Sequence, residues 1–306
     1  MTQMAETVVG LLHPGEMGAA VAACLTARGH LVRWVSAGRG PATAARAGRA
    51  GLADAGTVTA LAGQAAIILS VCPPHAALDT ARAVAAAGFA GLYVDANAIS
   101  PGSAREVRAA VEAAGGRYVD GGIVGPPPEP LAPGDQQAGR GGTRLYLAGG
   151  PGGGDAAGPA AQVAALFEGT ALNPEILRND NPAGASALKM AYAAWTKGSA
   201  ALLLTARALA RAEGVEESLL GEWALSQPGL ERRSRAAARS AAGKGWRWVG
   251  EMEEISASMT ADALPGGFHQ AAADVFRRSS SGRAAAGQPD DALMDAVLAA
   301  MLGRED

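Results

Sequence analysis

A short turn near the N-terminus carries the residue types that bind anions. The run Thr7-Val-Val-Gly-Leu-Leu-His-Pro-Gly-Glu-Met-Gly18 contains an apolar stretch, residues 8–12, that stops at Pro14-Gly15. A segment of small residues with helical character follows. The amides and the partial positive charge at a helix N-terminus bind phosphate groups. The run therefore predicts a site for the pyrophosphate of a dinucleotide, formed by Leu12, His13, Pro14, Gly15, Glu16, Met17 and Gly18.

The neighbouring elements must hold this turn in place. Residues 8–12 predict a strand, residues 17–28 a helix and residues 31–35 a second strand. This is the layout of a dinucleotide-binding βαβ unit. Gly15 and Gly18 align with the second and third glycines of the G-x-G-x-x-G pattern, and His13 stands at the first. The alternative is a structural turn that binds no ligand.

The end of the second predicted strand indicates which dinucleotide binds. NAD sites usually place an acidic residue there to accept a hydrogen bond from the ribose 2′-hydroxyl. Ser36 and Arg39 stand in this segment, and no carboxylate does. A hydroxyl and a guanidinium suit a 2′-phosphate. The sequence favours NADP(H), with a surface role for Arg39 as the alternative.

Further apolar runs alternate with helical segments, which predicts an α/β fold with a doubly wound parallel sheet. Ligands of such sheets bind outside the carboxyl ends of the strands. Ser100 and Pro101 predict the start of a helix, and Gly149–Gly154 a loop. The later predicted strands cover residues 65–71, 92–95, 117–120 and 143–148, and their carboxyl ends add Val71, Cys72, Pro73, Asp95-Ala-Asn97 and Gly121–Gly125 to the candidate site.

The character of the chain changes near residue 180. Apolar residues recur at near-helical spacing over residues 183–214, and turn signals separate all later segments. We predict a dinucleotide-binding domain over residues 1–180 and a helical substrate and dimerisation domain over residues 181–306. The later helices are predicted over residues 216–226, 230–242, 249–263, 267–278 and 290–302, with a break at Gly243-Lys-Gly245.

Composition excludes several classes of protein. The net charge is −3 and no basic block stands out, so we expect no nucleic-acid partner. The apolar stretches are interrupted before the roughly 20 residues that a membrane span needs. Cys24 and Cys72 form no disulfide or metal-binding framework, and no signal peptide is evident. We therefore expect a cytosolic protein that binds no metal.

Four motifs follow one another along the chain: Gly15-Glu-Met-Gly18, Asp95-Ala-Asn-Ala-Ile-Ser-Pro101, Val119-Asp-Gly-Gly-Ile-Val-Gly125 and Gly184-Ala-Ser-Ala-Leu-Lys-Met190. In order and approximate spacing they resemble the motifs of the β-hydroxyacid dehydrogenase family, which includes 3-hydroxyisobutyrate dehydrogenases and is related to 6-phosphogluconate dehydrogenase and the imine reductases. The resemblance covers nearly the whole chain. It implies a Rossmann domain, a long interdomain helix and an all-α C-terminal domain similar to that of 6-phosphogluconate dehydrogenase. It also implies a homodimer in which the C-terminal helices of one subunit close the other's cleft.

The resemblance assigns a role to Lys189. In the family the matching lysine lies in the interdomain cleft beside the nicotinamide and exchanges a proton with the substrate oxygen as hydride moves. Asn97 or Ser100 would orient the substrate, and Asn97 would also contact the cofactor. The alternative for Lys189 is an ordinary amphipathic-helix lysine whose charge reaches solvent. Lys197 lies two turns further on and is expected to be too distant to couple strongly.

Departures from the family motifs concern the substrate. Val124-Gly125-Pro126 replaces the serine that helps hold a carboxylate, and Tyr192 or Ala193 replaces an asparagine after the lysine. Asn97-Ala98 stands where Ser-Thr is usual. A site that lacks such groups loses discrimination for a small acid. We expect a bulkier or less acidic substrate near Ile123, Val124, Gly125, Tyr192 and Trp195; Trp246, Trp248, Met252 and Phe268 could line the same pocket or belong to the core.

These residues predict an NADP(H)-dependent oxidoreductase that acts on a small molecule, with Lys189 as general acid/base. Imine reduction is an alternative. The missing carboxylate anchors favour it, whereas Lys189 counts against it, because many imine reductases have Asp or Tyr at that position. An alternative of another class is a non-catalytic NADPH-binding sensor or scaffold.

Overall fold

The computed structural model describes residues 7–129, 142–148, 158–280 and 287–303. The predicted loop Gly149–Gly154 lies outside these residues. The chain divides into two compact units, Met1–Lys189 and Met190–Asp306, and the division falls within one long helix. Among the described residues, no helix is long and apolar enough to cross a membrane.

The first unit is built from alternating strands and helices. Each strand is a short apolar run, and most helices follow directly from the preceding strand through a tight turn. The elements are β1 (Val9–Leu12), α1 (Glu16–Ala27), β2 (Val32–Trp34), α2 (Pro41–Arg49), β3 (Ala53–Asp54), α3 (Val58–Ala62), β4 (Ile67–Ser70), a 3₁₀ turn (Pro74–Ala76), α4 (Ala77–Ala86), β5 (Leu92–Asp95), α5 (Pro101–Ala113), β6 (Arg117–Val124), β7 (Thr143–Ala148), α6 (Pro159–Phe167), β8 (Leu172–Leu177) and the start of α7 (Gly184–Ala212).

The strands form one sheet in the order β3-β2-β1-β4-β5-β6-β7-β8. The predicted doubly wound arrangement is confirmed, because alternate residues of the central strands enter two separate cores. Leu69 and Val94 pack on one face with residues of α1 and α6, whereas Ile68 and Tyr93 pack on the other with residues of α4 and α5. The carboxyl ends of β1, β4, β5 and β6 therefore lie along one edge.

This unit departs from the sequence-based prediction in three respects. β7 runs antiparallel to β6, so the sheet is not entirely parallel. β6 continues four residues beyond the predicted end at residue 120, with Gly121 and Gly122 inside the strand. β3, α3, α6 and β8 had no counterpart in the prediction; β8 begins Leu-Asn-Pro-Glu, a mixed sequence without a continuous apolar run.

The second unit is helical. It contains the remainder of α7, then α8 (Glu216–Ser226), α9 (Leu230–Ala261), α10 (Gly267–Ser279) and α11 (Asp290–Leu302). The predicted break at Gly243-Lys-Gly245 is wrong, since α9 is continuous. Gly245 is buried, and a Cβ there would lie 3.4 Å from the carbonyl oxygen of Phe276 on α10. This glycine thus permits close helix packing and does not end the helix.

Candidate active site

The turn after β1 has the geometry expected of a phosphate-binding loop. His13 adopts a left-handed conformation with φ of 65°, in which a non-glycine residue is uncommon. Its carbonyl oxygen accepts the N–H of Gly15 at 2.7 Å, which closes the turn at the start of α1. Gly15 is the N-cap residue and, having no side chain, makes no capping bond. A bound anion can take that position.

Gly15 and Gly18 serve two different purposes. A Cβ on Gly15 would have no atom within 4 Å, so its missing side chain leaves open space in front of the turn. A Cβ on Gly18 would lie 2.6 Å from the carbonyl oxygen of His13, so this glycine is required for the helix to approach the turn. The open space at Gly15 fits the close approach of a dinucleotide pyrophosphate.

The His13 side chain adds a neutral polar group to this site. Burial, with a smaller contribution from the Arg39 guanidinium, lowers the pKa of His13 to about 4. Its imidazole is therefore uncharged at neutral pH. Its Nδ1 atom is buried and has no hydrogen-bond partner among the residues that the structure describes. A buried polar atom of this kind usually has a partner, and a bound ligand can provide one.

The structure brings a carboxylate to the end of β2 that the sequence-based prediction missed. Asp54, the last residue of β3, pairs in register with Trp34 and hydrogen-bonds to Ser36. Its Oδ1 atom also accepts the N–H of Gly56 at 2.7 Å, and this bond and that of Ser36 lower the pKa of Asp54. The segment that follows β2 in the sequence has no carboxylate, but Asp54, which is distant in sequence, is adjacent to it across the sheet. Arg39 is exposed, and its N–H donates to the carbonyl oxygen of Ser36 at 3.0 Å.

A second arginine, also missed, contacts the glycine turn. Arg46 on α2 donates from Nε to the carbonyl oxygen of Pro14 at 3.2 Å and from Nη2 to Oγ1 of Thr43 at 3.2 Å. Its charge therefore lies at the predicted pyrophosphate site. The only sequence signal was its place on a helix that directly follows the β2 turn.

Asn97 joins the ends of β4 and β5. Its Oδ1 accepts the N–H of Cys72 at 2.6 Å, and its Nδ2 donates to Ser70 Oγ at 3.1 Å. The side chain is buried, and these bonds fix the Cys72-Pro73 turn at the candidate site. Burial raises the pKa of the Cys72 thiol to about 11, which keeps the thiol protonated at neutral pH.

Ser100, the other residue predicted to orient the substrate, begins α5 as expected. Its hydroxyl oxygen accepts the N–H of Ser103 at 3.1 Å, and it is almost completely buried. The observed function of this side chain is helix capping, which is worth about 1 kcal/mol. Its contact with a substrate stays a prediction.

Lys189 lies at the carboxyl end of β6. Its Nζ donates to the carbonyl oxygen of Ile123 at 2.6 Å. This approach depends on Gly122, because a Cβ there would lie 2.7 Å from the carbonyl oxygen of Ala185 and 3.4 Å from Cβ of Lys189. The first turn of α7 therefore packs directly on the strand, and the sheet brings Lys189 to the edge at which the β1 turn also lies.

Two buried carboxylates lie behind this edge. Asp95 and Asp120 are register partners on β5 and β6. Burial raises the pKa of Asp95 to about 7, with a smaller contribution from the charge of Asp120. Burial likewise raises the pKa of Asp120 to about 6, although hydrogen bonds from Ser186 oppose this shift. Asp95 accepts the N–H of Asn97 at 2.9 Å and so supports the β4–β5 connection.

The predicted substrate residues fall in both units. In the first, Ile123 and Val124 are buried at the end of β6, and Gly125 has φ of 131°. In the second, Tyr192 and Trp195 on α7 are exposed.

Four further aromatic or apolar candidates belong to the second unit. Trp246 and Phe268 are about half exposed, whereas Met252 is a core residue. Trp248 packs edge-on against Phe276 and lies under the Lys197 ammonium group, which pairs with Glu251.

Comparisons with known proteins agree with this architecture. Residues 7–150 match the NAD-binding domain of 6-phosphogluconate dehydrogenase, and residues 210–279 match a domain of unknown function, DUF1932. The first unit is thus of the class that binds nicotinamide dinucleotides. Among curated proteins, none matches the sequence.

Several solved structures share the fold over nearly the whole chain. The conserved protein MTH1747, described as structurally similar to 3-hydroxyacid dehydrogenases, is 25% identical over 96% of this chain and 99% of its own, with a TM-score of 0.60. The 3-hydroxyisobutyrate dehydrogenase of Salmonella typhimurium is 18% identical over 94% and 99%, with a TM-score of 0.64. An imine reductase from Myxococcus stipitatus (V8 variant, with NAD+) is 20% identical over 96% and 100%, with a TM-score of 0.55.

These matches agree with the resemblance that the sequence motifs indicated. The domain match covers residues 7–150, and 3-hydroxyisobutyrate dehydrogenases and imine reductases share the fold of this chain.

Proposed function

We propose that this protein is an NADP(H)-dependent oxidoreductase in which Lys189 is the general acid/base. The observation that carries the proposal is the hydrogen bond from Lys189 Nζ to the Ile123 carbonyl oxygen, at the same sheet edge as the glycine turn. A catalytic proton donor must be held within hydrogen-bonding reach of the reacting atom.

The β1 turn, Asn97 and Lys189 have different roles in the proposed reaction. When bound, the nicotinamide supplies or accepts the hydride. The β1 turn binds the pyrophosphate through the amides of α1, and Asn97 fixes the Cys72-Pro73 turn beside it. An ammonium group has three donors. One donor of Lys189 is used on Ile123, which orients the group to give a proton to the substrate oxygen during reduction and to take it back during oxidation.

NADP(H) is the proposed cofactor because Arg39 follows β2 at the dinucleotide site. The positive charge of Arg39 acts on both His13 and Cys72, whereas Arg46 contacts the glycine turn and serves the pyrophosphate that both nucleotides share. Asp54 opposes a 2′-phosphate electrostatically, and Arg39 favours one. Because a carboxylate beside Ser36 would favour NAD(H) instead, the preference for NADP(H) can be tested by comparing the binding of the two nucleotides.

The proposed substrate is a ketone, an aldehyde or a hydroxy acid with a bulky apolar portion. Val124 replaces the family's serine at the end of β6, so the chain offers an apolar side chain where a small acid would need a polar anchor. The same loss favours imine reduction as the second candidate, in which Lys189 would donate its proton to nitrogen.

We also propose a homodimer. An apolar stripe on α7, formed by Trp195, Leu202 and Leu209, is more than half exposed. Its members are seven residues apart and therefore share one helix face. The stripe continues into an apolar groove lined by Val215 and Leu219 at the turn to α8. Contiguous exposed apolar surfaces are typical of protein interfaces.

A single set of variants tests the catalytic proposal. Purified wild-type protein, Lys189→Ala and Lys244→Ala are titrated with NADPH and NADH and then assayed with a panel of ketones, aldehydes, hydroxy acids and imines. Lys189→Ala should lose about 10²–10⁴-fold in turnover and keep NADPH affinity, because a general acid acts on the chemical step. Lys244, exposed on α9, is the matched control.

The same titrations and assays, with Arg39→Glu added, test the cofactor preference and the alternative of a non-catalytic protein. Arg39→Glu should weaken NADPH binding more than NADH binding. Equal wild-type affinities for the two nucleotides would contradict the NADP(H) assignment. Tight NADPH binding without turnover of any panel compound would indicate a sensor or scaffold, and undiminished turnover by Lys189→Ala would remove this lysine from the mechanism.

A further inference from the structure

Strand β6 contacts the first two turns of α7 at three points. Asp120 binds Ser186, Gly122 lies against the backbone of Ala185, and the Ile123 carbonyl oxygen accepts the Lys189 ammonium group. Ser186 and Lys189 are three residues apart and lie on the same side of the helix. The strand therefore fixes both the start of the helix and the lysine one turn later.

Asp120 uses both of its oxygens on this helix. Its Oδ2 accepts the N–H of Ser186 at 2.9 Å, and its Oδ1 accepts the Ser186 hydroxyl at 2.5 Å. It also accepts a backbone hydrogen bond from Ala185. Asp120 and Ser186 are both about 1% exposed, so these bonds are shielded from water.

The helix needs such a partner because its own sequence provides no equivalent cap. The first N–H groups of a helix have no intrahelical acceptor. The residue before Gly184 is Ala183, whose methyl group cannot accept a hydrogen bond, and the side chain of Asn181 binds the N–H of Ala183 one step earlier. Asp120, on β6, therefore accepts hydrogen bonds from the start of the helix, as an N-cap side chain next to the helix in sequence usually does. A carboxylate at this end of a helix also interacts favourably with the helix dipole.

We propose that Asp120 is a positioning residue for Lys189. By capping α7 from β6, it fixes the rotation of the first helical turn and its distance from the strand. This places the Lys189 ammonium group within hydrogen-bonding distance of the Ile123 carbonyl oxygen. This inference deepens the proposed function and rests on it only for the catalytic consequence. The placement of Lys189 is a separate physical claim that can be measured without a substrate.

Amine labelling measures that placement directly. Lys189, Lys197 and Lys244 are the three lysines of the sequence, so each can be followed separately by mass spectrometry after limited acetylation with acetic anhydride. The rate at Lys189 relative to Lys244, measured across a range of pH, reports the exposure and pKa of its amine. Loss of a helix cap that did not position Lys189 would leave this ratio unchanged.

The variants are Asp120→Ala, Asp120→Asn and Ser186→Ala. Asp120→Ala should speed the labelling of Lys189 severalfold, because the lysine is no longer held on Ile123. Asp120→Asn should retain most of the wild-type behaviour, since its amide can accept the Ser186 N–H and donate to the Ser186 hydroxyl. Ser186→Ala removes the hydroxyl bond and keeps the backbone bonds to Asp120, so its labelling rate should lie between those of the other two variants. Thr57→Ala, which removes the local cap of α3, is the matched control.

Kinetics then test the catalytic consequence on the panel compound with the highest turnover. Asp120→Ala should lower kcat by about 10²-fold, the effect expected of a displaced catalytic group, and leave NADPH affinity unchanged. Circular dichroism confirms that each variant is folded. If Asp120→Ala does not fold, Ser186→Ala and Asp120→Asn decide the question.

The outcomes separate the two proposals. Labelling of Lys189 at the wild-type rate in folded Asp120→Ala and Ser186→Ala would overturn the positioning role, even if Lys189→Ala is inactive. Altered labelling in these variants, together with full activity of Lys189→Ala, would support the positioning role and refute the catalytic one.

Discussion

Replacement of Gly15 by alanine should separate cofactor binding from folding. Gly15 has φ of −70° and ψ of −167°, a conformation that alanine adopts without strain, and an added Cβ would have no atom within 4 Å. In the protein without nucleotide, the methyl group therefore disturbs nothing. With the dinucleotide bound, the same methyl group would occupy the space through which the pyrophosphate approaches the amides of α1.

The expected magnitudes follow from opposing effects. Alanine restricts the unfolded chain, which stabilises by about 0.4–1 kcal/mol, but it is a poorer N-cap residue than glycine by a similar amount. The free energy of unfolding of Gly15→Ala should thus stay within about 0.5 kcal/mol of wild type. Binding should weaken by about 1–3 kcal/mol, the usual cost of forcing a methyl group into a packed contact.

Gly18→Ala should behave in the opposite manner. Its Cβ would lie 2.6 Å from the His13 carbonyl oxygen, so a shift of about 0.8 Å is needed to reach the ordinary contact distance of 3.4 Å. The gain in helix propensity, about 1 kcal/mol, does not offset an overpacking cost of about 1–3 kcal/mol. This variant should lose up to about 2 kcal/mol of stability without any nucleotide present.

Urea denaturation followed by circular dichroism gives the stabilities, and calorimetric titration with NADPH gives the affinities. Gly221→Ala is the control, because this glycine on α8 also has no atom within 4 Å of an added Cβ. NADPH affinity of Gly15→Ala equal to that of wild type would refute the placement of the pyrophosphate. Comparable loss of stability in Gly15→Ala and Gly18→Ala would refute the division of roles between the two glycines.

Two further predictions concern the buried carboxylate and the oligomeric state. Asp95 has an ordinary pKa of 3.8 that burial raises to about 7. The folded state therefore holds this proton more tightly, and stability on the order of 4 kcal/mol is lost as pH rises between these values. Asp95→Asn should remove that part of the difference between the free energies of unfolding measured with urea at pH 4 and at pH 8. An unchanged difference would contradict this prediction. Wild-type protein should sediment as a dimer, at twice 30.5 kDa, and Leu202→Arg as a monomer, whereas Leu264→Arg, at another exposed apolar site, should stay dimeric.

The fold was largely predictable because its signals are local. The apolar runs of β1, β4 and β5 are fully buried strands, and Ser100-Pro101 begins α5 as the capping pattern predicts. The wrong predictions arise where tertiary contacts override local signals. Gly245 is helical because it packs closely against α10, and β7 pairs antiparallel with β6, an orientation that its own sequence does not encode.

The dinucleotide site shows the same division between local and distant signals. The glycine turn is contained within a few residues, and its pattern predicts its geometry even with His13 in place of the first glycine. Histidine is one of the side chains that tolerate positive φ, so the substitution keeps the turn. Asp54 and Arg46 reach the site from β3 and α2, and no pattern of consecutive residues indicates that they do.

The placement of Lys189 depends entirely on contacts between residues that are distant in sequence. Its observed partner, the carbonyl oxygen of Ile123, is 66 positions away, as is the Asp120–Ser186 contact that fixes the same helix. The residue type of the lysine is visible in a motif, but its placement depends on a strand that carries a carboxylate, a glycine and the accepting carbonyl oxygen in the right order. A change in β6 should therefore alter the behaviour of Lys189 more than a change in the exposed residues of α7. Because β6 also pairs with β5, which carries Asp95, the same strand connects the lysine to the part of the sheet that holds the proposed cofactor-binding turns.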